Sequence, residues 1–116
     1  MAISLLAISI DGSDIARLAQ FWADVLNRPV NPGATVSLAG IDTGSGLRLT
    51  FHQVPEGKTV KNRVHPDLTA IDYELETERL TKLGAVKLND YQRGSTRWTT
   101  FADPEGNEFD LVATTP

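Results

Sequence analysis

The sequence contains no cysteine. Disulfides, thiolate metal sites and cysteine nucleophiles are therefore excluded. It has no apolar run approaching the roughly 18–20 residues that a membrane-spanning helix needs. Positive charge is also scarce. Eleven Lys and Arg stand against fifteen Asp and Glu, for a net charge of −4, and nucleic-acid binding rests on basic surface. The one basic concentration, Lys58, Lys61 and Arg63, falls in a polar stretch. No basic segment followed by an apolar one opens the chain, so no secretory signal is read. The expectation is a soluble, cytoplasmic protein with no nucleic-acid and no membrane partner. Familiar catalytic signatures are missing too: no GxSxG elbow, no phosphate-binding GxxxxGK[ST] loop and no HExxH helix. Thr43-Gly44-Ser45-Gly46 is too short for a phosphate cradle and reads as a turn between strands.

What the chain does hold is enough for one domain with its own core, at 116 residues and 41% hydrophobic content. Leu5 to Ile10 reads as a strand. Ser13-Asp14 offers a helix N-cap, and Ile15, Leu18, Ala19, Trp22, Val25 and Leu26 follow at helical spacing. Thr35 to Ile41 and Leu47 to Val54 read as strands, and residues 55–62 as a polar loop. A second strand and helix follow, Val64 to Ala70 and Tyr73 to Leu83, with Gly84 as the C-cap. Val86 to Leu88, Thr96 to Phe101 and Glu108 to Ala113 complete the strands.

The last hairpin carries the strongest local signal. In Asp103-Pro104-Glu105-Gly106-Asn107 proline presets φ, glycine accepts φ > 0, and the Asp and Asn side chains can bond nearby backbone. Asp110 then falls mid-strand between Phe109 and Leu111, where aspartate is disfavoured and costly to bury unpaired. The order reads as β-α-β-β-β twice. Asp14 matches Asp72 and Val25 matches Leu83, each 58 positions apart, half the chain.

Three stretches resemble the glyoxalase/bleomycin-resistance/dioxygenase (vicinal oxygen chelate) superfamily, and within it the glyoxalase-like domain subgroup. They are residues 14–26 (DIARLAQFWADVL), 58–68 (KTVKNRVHPDL) and 103–109 (DPEGNEF). The resemblance covers essentially the whole chain. It implies an α+β fold of two βαβββ modules, about 1–56 and 63–116, forming a curved mixed sheet around a cup. It also implies a small-molecule ligand and a homodimer.

Strand alternation indicates which groups line such a cup. Leu6, Ile8 and Ile10 form an apolar face, as do Leu47, Leu49 and Phe51. Arg48, Thr50 and His52 oppose the latter. His65, Asp67 and Thr69 share one face, and Glu108, Asp110 and Val112 another. The ligand positions of metal-dependent relatives map to Ala7, Arg48, His65 and Asp110. Alanine coordinates nothing, and arginine is a fixed cation without an acceptor. His65 and Asp110 suit a divalent metal such as Zn, Ni, Fe or Mn, with His52 or Glu108 needed as a further ligand.

Three functions follow. The first is a glyoxalase-like binding protein or enzyme without the usual metal, gripping a small, polar or anionic ligand with Arg48, His52, His65, Asp67 and Asp110. The second is a metal-dependent lyase, isomerase or dioxygenase built on His65 and Asp110. The third is a protein that sequesters a drug or metabolite without turnover. Beside these stand plainer readings: a structural His65, an Asp110 that serves as charge partner of Arg48, and a solvated linker at residues 58–63. Trp22, on the apolar helix face, reads as packing; Trp98 reads either as a ligand platform or as interface packing.

Overall fold

The computed structural model describes residues 2–113. The chain divides into two compact units, Met1–Gly57 and Lys58–Pro116. The first contains β1 (Ala7–Gly12), α1 (Ile15–Leu26), β2 (Leu38–Asp42) and β3 (Arg48–Gln53). The second contains β4 (Asp67–Thr69), α2 (Tyr73–Leu83), β5 (Val86–Arg93), β6 (Thr96–Ala102) and β7 (Glu108–Ala113). The fold is mixed α+β, with a three-stranded sheet ordered β1-β3-β2 and a four-stranded sheet ordered β4-β7-β6-β5. In each, the first strand runs parallel to the last and the remaining pairs are antiparallel.

The first unit is held by its helix. Asp14 caps α1 through the Arg17 N–H. Ile15, Leu18, Ala19, Phe21, Trp22, Ala23 and Val25 are buried, against β2 and β3. Ile41, Leu49 and Phe51 supply the sheet side of this core. Trp22 is 1% exposed, and burying such a side chain contributes about 2–3 kcal/mol or more.

Several expected boundaries shift, each for a local reason. The first strand begins at Ala7 because its ladder partner begins at Arg48; Leu5 and Leu6 are exposed, so Leu6 does not join the core face. The second begins at Leu38, not Thr35, because Thr35 Oγ1 accepts the N–H groups of Ser37 and Leu38, a turn that competes with the ladder. The fourth is cut to Asp67–Thr69, since Pro66 has no N–H to give. Its carbonyl still accepts the Asp110 N–H at 2.9 Å. The fifth runs on to Arg93 because Arg93 pairs with Thr96 across Gly94-Ser95, where Gly94 has φ of 60°, a two-residue hairpin turn.

The first unit is βαββ rather than βαβββ among the described residues. Where the second unit has β5, the first has Arg28-Pro29-Val30-Asn31-Pro32-Gly33. Two prolines remove the donors a strand needs. One ladder-like bond survives, Asn31 N–H to Gly40 O at 2.8 Å.

Candidate functional site

In the second unit, alternation puts Thr99 and Phe101 of β6 and Phe109 and Leu111 of β7 on one face, where the Phe101 and Phe109 rings stack, and the Tyr73 hydroxyl of α2 bonds Thr99 Oγ1. The even-numbered residues face the other way. Register lines them up in rows with partners from β4 and β5: Asp67, Asp110, Thr100 and Asn89 form one, and Thr69, Val112, Trp98 and Tyr91 the next. Trp98 and Tyr91 stack on each other with ring centroids 5.3 Å apart.

At the β4 edge of that face lies a cluster of three metal-ligating groups, His65, Asp67 and Asp110, whose donor atoms lie within 4.8 Å of one another. His65 Nδ1 is 2.9 Å from Asp67 Oδ1 and 3.5 Å from Asp110 Oδ2. Asp110 is buried, and its second oxygen accepts the Thr100 hydroxyl at 2.6 Å. His65 and Asp67 are exposed. The donor set fits a divalent ion: one imidazole nitrogen and two carboxylate oxygens suit Zn, Mn or Fe, and two negative charges offset two positive ones. Ligand atoms sharing such an ion stand roughly 3 Å apart, close to the two separations from His65. Thr100 would be an outer-shell partner that fixes the Asp110 carboxylate.

Asp67 is the residue that sequence reasoning did not count as a ligand. Its signal was there, two positions after His65 on the same face. What was missing was the register that sets it directly beside Asp110. Glu108, considered as an extra ligand, is committed elsewhere. It accepts from Lys58 Nζ at 3.2 Å, from Lys61 Nζ, and more distantly from the Asn62 N–H at 3.5 Å. Lys61 above all, with Lys58 and the Asn62 N–H, holds the Glu108 carboxyl below the ordinary carboxylate range against the opposing effect of burial. Residues 58–62 are thus bonded into the second unit through Glu108. Asn62 also donates its side-chain N–H to Val64 O.

Arg48 and His52 lie on β3 of the first unit, both exposed. Register also revises which residues correspond between units. Gly46 and Gly106 share φ near +87° (88° and 86°). The turn bonds Thr43 N–H to Leu47 O and Asp103 N–H to Asn107 O also coincide. Aligning these turns makes Thr50, not Arg48, the counterpart of Asp110, and Ser9 the counterpart of Asp67. In the first unit Ser9 and Thr50 hydrogen-bond to each other at 2.6 Å.

The sequence matches the Glyoxalase-like domain family over residues 7–112, and the chain belongs to that family. Solved structures of the wider superfamily share its fold. The E126Q mutant of the fosfomycin resistance protein FosX from Listeria monocytogenes, complexed with Mn(II) and 1S,2S-dihydroxypropylphosphonic acid, is 18% identical with a TM-score of 0.82, covering 99% of this chain and 93% of that one. FosX from Mesorhizobium loti is 18% identical with a TM-score of 0.77, covering 99% and 95%. A glyoxalase/bleomycin resistance protein/dioxygenase family enzyme from Burkholderia phytofirmans is 16% identical with a TM-score of 0.82, covering 97% and 100%. Among curated proteins none matches significantly. No helix among the described residues is long and apolar enough to cross a membrane.

Proposed function

We propose that this protein binds a small, oxygen-bearing ligand beside a divalent ion held by His65, Asp67 and Asp110. The observation that carries the reading is the meeting of three donor groups within 4.8 Å around a buried carboxylate. Two adjacent carboxylates repel each other, and a cation between them relieves this cost. The Mn(II) in the similarly folded Listeria FosX structure supports the choice of ion class. When bound, such an ion acts as a Lewis acid on ligand oxygens, the chemistry a lyase, isomerase or dioxygenase of this superfamily uses. The chain's own contributions are to orient and to charge-balance. Thr100 holds one Asp110 oxygen, and the Pro66 carbonyl fixes the Asp110 backbone. Lys58 and Lys61 occupy Glu108 and so keep a competing carboxylate out of the donor set. A homodimer in the cytoplasm belongs to the same reading and is checked by sedimentation and fractionation.

A second reading has one specific support: His65 Nδ1 sits within reach of both carboxylates. With a proton on Nδ1 the imidazole itself bridges them, and the cluster is an acid–base group without metal. The two readings differ in what occupies the Nδ1 lone pair. Metal content measured after dialysis against Mn(II), Zn(II) or Fe(II) separates them. About one ion per chain, lost in His65→Ala and in Asp110→Asn with the fold retained, supports the first. Absence of bound metal, with an Nδ1–H resonance in nitrogen NMR, overturns it in favour of the second.

A further inference from the structure

The first unit contains a hollow that the cation reading does not use. It measures about 220 Å³ and is bounded by the 31–34 loop, by Leu38, Ala39 and Gly40 of β2, and by Arg48 and Thr50 of β3. From the structure we infer that this hollow is a binding site for a small oxyanion, a carboxylate or phosphate-type group, with Arg48 as its anchor.

Three observations converge. First, among the described residues the Arg48 guanidinium has no ion-pair or hydrogen-bond partner. The acid nearest to it in register, Asp42, lies directly across the ladder, but its carboxylate accepts the Gly44 N–H and its carbonyl accepts Arg28 Nε. An arginine fork beside a cavity whose lining has no carboxylate matches an incoming oxyanion. Second, a further donor stands beside the same place. A side chain built on Gly40 would stand 3.7 Å from Asn31 Nδ2 and 4.0 Å from Arg48 Cδ. The space that glycine leaves open is therefore flanked by an amide donor and by the arginine stem. Third, the hollow is small. Pockets for drug-sized molecules run from about 300 Å³ upward, so this one suits a compact acid or the acidic head of a larger ligand.

The position of Gly40 also supplies a second way to test the site. An added methyl would make only ordinary contacts, the nearest being 3.6 Å to Leu49 O, so Gly40→Ala narrows the hollow between Asn31 and Arg48 without a clash and without changing charge. Arg48→Met removes the charge and keeps much of the stem.

The experiment is calorimetric titration of the full chain with inorganic phosphate and, separately, with lactate, at low ionic strength, after metal has been stripped on a chelating resin. Saturable one-to-one binding of either probe is expected, weakened about tenfold or more in Arg48→Met and clearly weakened in Gly40→Ala. The stronger of the two probes identifies the class of head group. Binding that is not saturable, or that is unaltered by Gly40→Ala, overturns the inference, since the anion would then be attracted by surface charge alone. Because metal is removed beforehand, this result and the metal measurement succeed or fail separately.

Discussion

The two units repeat one plan, a parallel strand pair closed by an antiparallel one over a helix, yet they spend their sequence differently. The first buries seven residues of α1, including Trp22. The second buries only Leu80 of α2. The second helix relies on its ends instead. Asp72 accepts the Leu75 N–H, Gly84 closes the helix in the left-handed region, Glu74 and Glu76 stand at the start and Lys82 at the finish. That charge order complements the helix dipole, and α1 has neither acid in its first turn nor base in its last. The sheets differ in the same sense. Where the first unit joins Ser9 to Thr50 with a neutral hydrogen bond, the second sets Asp67 beside Asp110 under His65. One unit is built for packing. The other carries a charged cluster that packing alone gives no reason to keep, which is where function and stability commonly diverge.

The largest effect that would break this contrast is expected from Trp22→Ala. Loss of its buried ring should cost about 3–5 kcal/mol, read as a lower denaturation midpoint. A loss below about 1 kcal/mol would remove the claim that α1 carries the first unit. Next comes Glu108→Gln. Because the Glu108 carboxyl is held below its usual range in the folded protein, its contribution is present above the unfolded value. It is lost as pH falls through the folded one. Wild type should therefore lose stability on acidification below about pH 5. The variant should be about 1 kcal/mol less stable at neutral pH and should show a shallower acid slope. Parallel slopes would mean that Glu108 is not the group anchoring residues 58–62.

A smaller effect tests the charged cluster directly. Asp67→Ser/Asp110→Thr gives the second unit the pair found in the first. Without added metal, removal of like charges directly across a ladder should raise stability by about 0.5–1 kcal/mol, while metal binding disappears. A large destabilisation would show that the cluster is structural. Thr100→Val should leave the fold intact and weaken metal binding about tenfold. The smallest effect is expected at Leu75 of α2, which is 57% exposed. Leu75→Ala should change stability by no more than about 0.5 kcal/mol, and a larger loss would mean that α2 is covered where it is now open.

Much of this was legible because local chemistry decides it. The helices begin and end where Asp14, Asp72 and Gly84 require, and the Asp103–Asn107 turn follows from its residue types. Those same residues carry the family resemblance. Strand ends were less legible, since a ladder extends only as far as its partner and its donors allow. Leu5 and Leu6 have apolar side chains but no partner in β3, and Pro66 shortens β4 from within. The first unit's missing strand was also written locally, in Pro29 and Pro32, but the apparent repeat hid it.

The site divides along the same line. From sequence alone His65 and Asp110 were candidate metal ligands, and Asp67 a candidate ligand contact, because each places a polar group on a strand or at its margin. Their separation along the chain said nothing of distance. Only the parallel pairing of β4 with β7 puts Asp67 and Asp110 side by side and brings His65 to both. Pairing also gave Thr50, rather than Arg48, the place in the first unit that corresponds to Asp110. Residue type and spacing settled the chemistry each group can perform and the fold it belongs to. Which groups meet was settled by register, because a strand's side chains acquire neighbours only when another strand is laid beside it.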